Sequence, residues 1–210
     1  MRATHRSTFA LLALLAGGTA SADPSLHLAG GAGLSYGGDT LATVNYSNGD
    51  SSDVKAGGLF YINAGPSIEF TGTPISVQAL LGYQEDSSTA QNGDIKFDRT
   101  TLDTTLFYQT GNHRFGAGIV NHFSPTYHQS SFYSADNGSY NPGIDGKFGD
   151  ASGVGVEYQF RHPNSHIGLS LRYVSIKYKL NSVTVDGAPA IPTKTSYDGS
   201  FFAAGFYVYL

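Results

Sequence analysis

The stretch with the most chemical potential is His122-Phe123-Ser124, with Asp136 twelve residues after the serine. Imidazole, hydroxyl and carboxylate are the side chains on which Ser–His–acid hydrolysis depends, so these three form a candidate catalytic set. The plainer alternative is a polar strand end running into a loop. His122, His128, His162 and His166 show no zinc-ligand spacing. Asp39, Asp50, Asp53, Glu85, Asp86, Asp94, Asp136, Asp145, Asp150, Asp186 and Asp198 are scattered without the spacing of a calcium loop. Solvated loops explain them, with divalent bridging to phosphates of a neighbouring surface as the functional alternative. There is no cysteine, which removes thiol chemistry and Cys-based metal sites, and no cofactor is implied.

The elements that must position these groups begin with the compartment. Arg2 and Arg6 precede the apolar run Phe9–Ala16, and Ala20-Ser21-Ala22 has the small-x-small form of a cleavage site. The run is too short for a membrane-spanning helix, so residues 1–22 are expected to be a signal peptide and residues 23–210 one domain. Removing 1–22 takes two of twelve basic residues and none of sixteen acidic ones, leaving ten against sixteen, a net −6. That charge argues against nucleic acid as a partner. Twenty-seven glycines, fourteen tyrosines and thirteen phenylalanines suit many strands joined by turns.

Eight stretches alternate with a period of two. One face of each carries Leu26, Leu28, Ala32, Leu34 and Tyr36; Phe60, Ile62, Ala64, Pro66, Ile68 and Phe70; Ile75, Val77, Ala79, Leu81 and Tyr83; Leu102, Thr104, Leu106 and Tyr108. The second half continues with Phe115, Ala117 and Ile119; Val154, Val156, Tyr158 and Phe160; Ile167, Leu169, Leu171 and Tyr173; Phe202, Ala204, Phe206, Val208 and Leu210. The seventh loses parity near Val174-Ser175-Ile176, at a bulge or at emergence from a bilayer. Pro66 cannot donate a ladder hydrogen bond, and marks either a lateral opening or a local bulge. Short links (71–73, 110–112, 162–165) alternate with long ones (37–57, 84–95, 125–150, 181–200), and the expectation is an all-β, eight-stranded antiparallel up-and-down transmembrane β-barrel.

A soluble ligand carrier also alternates, with its apolar face inside. Four features favour the lipid-facing arrangement: charges on the polar face, segments of membrane-crossing length, aromatic rings near strand ends, and a final strand that closes the barrel. That strand, Phe201-Phe202-Ala203-Ala204-Gly205-Phe206-Tyr207-Val208-Tyr209-Leu210, resembles the C-terminal signature of small Gram-negative outer-membrane barrels, similar in plan to the OmpA transmembrane domain and OmpX. Members usually end in Phe; here Leu210 stands there, while Phe206 and Val208 keep the alternate positions. The resemblance implies residence in the outer membrane, contact with its lipid and lipopolysaccharide, insertion by the barrel-assembly machinery, and a monomer.

On this plan Glu69, Arg99, Asp103, Glu157 and Arg172 line the lumen, as a structural ion-pair network or a gated path. The third long link, with Tyr127, Phe132, Tyr133 and Tyr140, is the best candidate for recognition, or folds down to cap the mouth. The His-x-Ser pair with a later carboxylate also resembles the arrangement in lipid A 3-O-deacylases. That likeness would make Ser124 the nucleophile, His122 the general base and Asp136 the orienting acid. Pro125 and the use of Asp for Glu depart from it, and alternation points His122 inward, away from lipid. The leading expectation is a non-enzymatic outer-membrane protein with a plugged lumen, serving envelope integrity or surface interaction through its loops. A small channel for ions or apolar solutes and a deacylase-like enzyme are the alternatives.

Overall fold

A computed structural model describes residues 24–45, 49–90, 93–133, 138–162 and 165–210. The proposed signal peptide, 1–22, lies outside the described residues. Sixteen strands follow in chain order: β1 (Pro24–Gly37), β2 (Thr40–Asn45), β3 (Ser51–Lys55), β4 (Phe60–Phe70), β5 (Ile75–Ala90), β6 (Gly93–Thr110), β7 (His113–Gln129) and β8 (Phe132–Tyr133). Then come β9 (Tyr140–Asn141), β10 (Ile144–Phe148), β11 (Ala151–Arg161), β12 (Ile167–Ser175), β13 (Lys177–Val185), β14 (Ala188–Ala190), β15 (Ser196–Asp198) and β16 (Phe201–Tyr209).

The expected eight-stranded up-and-down barrel is corrected here. The main sheet has twelve strands in the order β11-β12-β16-β1-β4-β5-β6-β7-β10-β13-β14, with β15 on β13, and β2–β3 and β8–β9 form separate two-stranded sheets. The sheet branches at β7. Its first part, His113–His122, pairs with β11, and its last part, Thr126–Gln129, pairs with β10. The extra strands come from segments whose Asp, Asn, Ser and Gly content reads as loop. Gln84–Ile95 is a continuation of β5 and β6, paired from Gln84↔Arg99 out to Ala90↔Gly93. The link 125–150 supplies β8–β10, and the link 181–200 supplies β14, β15 and the second half of β13.

The turns at one end are tight, as their residues demand. Gly72 and Gly111 take positive φ (80° and 57°), which a glycine adopts without steric cost. In β4 the pairing with β5 skips Gly65 and Pro66, yet Ala64↔Leu81 and Ser67↔Gln78 keep one register. Pro66 therefore removes a ladder bond without a bulge. The bulge is elsewhere: Thr100↔Phe123 is followed by Asp98↔Thr126, so Ser124 and Pro125 oppose the single residue Arg99. Ser124 sits at φ 47° there, its N–H donating to Asp150 Oδ1 at 2.9 Å.

The sheet curls so that one face is enclosed, and the character of both faces inverts along its length. From Ile95 to Phe107 every odd residue of β6 is buried: Ile95 and Phe97, then Arg99, Thr101, Asp103 and Thr105, then Phe107. Outward, Asp94, Lys96 and Asp98 give way to Leu102, Leu106 and Tyr108. β12 and β13 repeat this. Gly168, Ser170 and Arg172 point inward opposite exposed Ile167, Leu169, Leu171 and Tyr173; beyond them Val174, Ile176, Tyr178 and Leu180 are buried opposite exposed Ser175, Lys177 and Lys179. The parity expected to fail at Val174-Ser175-Ile176 is unbroken; it is the polarity that reverses. The enclosed space is thus polar toward the short-turn end and apolar toward the long-link end.

Candidate functional site

The apolar end is a packed layer of Val54 and Ala56 from the β2–β3 region, Phe97, Val120, Phe148, Val174, Ile176, Tyr178 and Phe201. Tyr178 is its hub. Its ring meets Phe97 edge-on at 5.6 Å and Phe148 at 6.2 Å, and its hydroxyl hydrogen-bonds His122 Nδ1. The β2–β3 hairpin is tied down where the Lys55 N–H donates to Asp86 Oδ2 at 2.8 Å. At its base the Lys194 ammonium and the Asp198 N–H hold the Asp39 carboxyl below its ordinary value.

Beneath this layer lie the charged residues. Arg172 Nη1 donates to Asp103 Oδ2 at 2.6 Å, both side chains being about nine-tenths buried. Glu157 accepts from Gln159 Nε2 at 2.6 Å; Gln159 Oε1 accepts from Arg114 Nη1 at 2.7 Å; Arg114 Nη2 donates to Ser76 Oγ at 2.9 Å. Glu157 and Arg172 line one small cavity together with Tyr61, Gln159 and Tyr207. A second, bounded by Gln84, Thr101, Asp103, His122 and Arg172, lies against it. Their volumes, about 20 and 10 Å³, are on the scale of a single water each.

Of the five expected lumen charges, Asp103, Glu157 and Arg172 are brought together. Glu69 stands near the short-turn end, 3.9 Å from His27 Nε2. Arg99 faces the apolar layer, stacked 4.9 Å from the Phe97 ring and 5.9 Å from Tyr178, and none of its guanidinium nitrogens has a hydrogen-bond partner among the described residues. Gly58, at φ 73°, makes room for it: a Cβ there would stand 2.8 Å from Arg99 Nη2. Sequence reading missed Arg114, Gln159 and Tyr178. Arg114 lies just before the alternating stretch that starts at Phe115. Tyr178 continues the Val174, Ile176 alternation, a signal available in the sequence.

His122 is buried against Tyr178, whereas Ser124 is exposed within the bulge, and no hydrogen bond joins them. Asp136 lies outside the described residues. Tyr127 is half-buried, its hydroxyl donating to Gln129 Oε1 at 2.8 Å. Phe132 is half-buried, whereas Tyr133 and Tyr140 are exposed and pack 5.1 Å apart, with the Tyr140 hydroxyl on Asp186 Oδ1. In β16, which pairs with β1 and β12, Phe206 and Val208 face outward and are exposed, as is Leu210 just after it. No protein-family model matches this chain, and a search of curated proteins finds no relative.

Proposed function

We propose that this chain is a non-enzymatic outer-membrane protein of a Gram-negative cell, with a filled interior, that serves envelope integrity or surface interaction. The carrying observation is the inversion of polarity along β6 and β12–β13. Exposed Leu106, Tyr108, Leu169 and Leu171 suit lipid, as does the shallow outer groove of about 900 Å³ lined by Leu34, Tyr36, Phe115, Val156 and Phe202. Beyond the belt the same strands reverse, lysines and aspartates outside and an apolar core inside, as water demands. About 9–11 tilted residues cross such a membrane. β6 has eighteen, so its upper part stands clear with β10 and β13–β15. On this reading Tyr133 and Tyr140 face the medium, where a partner would meet them.

An arginine scan of unfolding in lipid vesicles tests the belt. Leu171→Arg, in mid-belt, is expected to cost about 2–4 kcal/mol, and Ser175→Arg, at the reversal, about 0–1 kcal/mol. Equal costs at the two positions would remove lipid from the explanation.

A further inference from the structure

We infer that the short-turn end carries a binding site for a phosphate group, held by Arg114 and Arg161. A pocket of about 220 Å³ opens there, lined by Gln109, Gly111, Asn112, Arg114 and Arg161. Its position follows from the fold. The Gly111–Asn112 turn joins β6 to β7 and puts Arg114 two residues into the strand, while the Arg161 N–H donates to the Asn112 carbonyl at 2.9 Å, bringing the end of β11 beside the turn. Both guanidinium groups stack on one ring: Arg114 lies 5.4 Å and Arg161 4.7 Å from the centre of Tyr209.

Arg114 also lies 4.4 Å from the centre of Phe107, and two like charges gathered around Tyr209 favour an anion between them. Among the described residues neither arginine forms an ion pair; Glu69, the carboxylate at this end, stands 3.9 Å from His27 Nε2 and acts on Arg114 only at longer range. Arg114 is 2 % exposed, and its Nε is a buried donor with no hydrogen-bond partner among the described residues. Its two terminal nitrogens are held by Gln159 and Ser76, so the guanidinium is fixed, not searching. Arg161 is half-buried and lines the same pocket. Guanidinium pairs match tetrahedral oxyanions through parallel N–H···O bonds, and Gln109 and Asn112 add neutral amides at the rim. The pocket has room for more than the anion, and a phosphate carried on a larger body fits it, either a soluble ester or the headgroup of an anionic lipid.

The test is the arginine Nε–H region of the 15N–1H spectrum of the chain folded in neutral maltoside micelles. Inorganic phosphate should shift the Arg114 and Arg161 signals with saturation, leave Arg99 and Arg172 in place, and exceed chloride at equal ionic strength. Arg161→Gln should weaken the Arg114 response about tenfold, the worth of one charge-assisted hydrogen bond. A parallel titration adds phosphatidylglycerol or phosphatidylcholine to the micelles. Saturation with inorganic phosphate supports a soluble ester, and saturation with phosphatidylglycerol alone supports a headgroup. No saturable shift in the wild-type chain with either probe, shifts matched by chloride, or a response unchanged in Arg161→Gln would overturn the site.

Discussion

Replacing Arg172 by methionine is expected to destabilise the folded chain by about 3–5 kcal/mol, because it leaves buried acids without their cation. Asp103 accepts the 2.6 Å bond from Arg172 directly, and Glu157 shares the adjoining cavity with it. Hydration of the two acids is limited, since the two interior cavities hold about one water each. The loss belongs to the orphaned charges more than to the missing bond. The triple variant Arg172→Met, Asp103→Asn, Glu157→Gln should therefore recover most of the stability, as neutral groups of similar shape tolerate burial far better. Denaturant unfolding in micelles reads the difference. A single variant within about 1 kcal/mol of wild type would show that the charges are solvated and the pair structurally idle.

Tyr178→Ala is the second large effect, at about 3–5 kcal/mol for the cavity left by a buried aromatic ring. Tyr178 is 1 % exposed, packs between Phe97 and Phe148, and covers Gly199 so closely that a Cβ there has no space. It also supplies the hydroxyl on His122 and part of the aromatic surface under Arg99. Tyr178→Phe separates these roles: it keeps the ring and should cost about 1–3 kcal/mol, the penalty of an unpartnered buried polar atom. Unfolding midpoints of the two variants check the ranking. If Phe were as damaging as Ala, the hydrogen bond and not the packing would hold the layer.

Strand cores were legible because apolar residues at every second position admit only one face toward one environment. Leu26, Leu34, Phe60, Ile62, Leu106, Val156, Leu171 and Phe206 all stand on the exposed outer face that alternation assigned them. What composition concealed was the continuation of the strands. Gln84, Asp86 and Ser88 are buried in β5, but a polar run beside acidic and small residues has the signature of a loop. Loops and protruding strands share a solvent-facing surface, and only pairing partners tell them apart. Strand number was misjudged for that reason: β10, β14, β15 and the second half of β13 arise from such segments, while β13 starts in the alternating run past Val174 and Ile176.

Arg99 was misplaced for a related cause. Parity correctly put its side chain inside, but parity carries no information on height, and Arg99 lies level with Phe97 and Tyr178, above the acids. Likewise His122 and Ser124, two apart, should share a face of a regular strand. The bulge opposite Arg99 rotates the serine away, and no residue in His122-Phe123-Ser124 announces it; Pro125 hints at a break without saying which way the chain turns.

Planar-bilayer recording of the refolded chain, with Glu157→Gln as comparator, bears most directly on the filled interior. On the proposed reading both proteins should insert and stay electrically silent, with the Arg172–Asp103 layer and the apolar layer around Tyr178 closing the interior to ions. Discrete openings in the wild-type chain, altered in conductance or frequency by Glu157→Gln, would contradict a plugged interior and make the charged layer a gate.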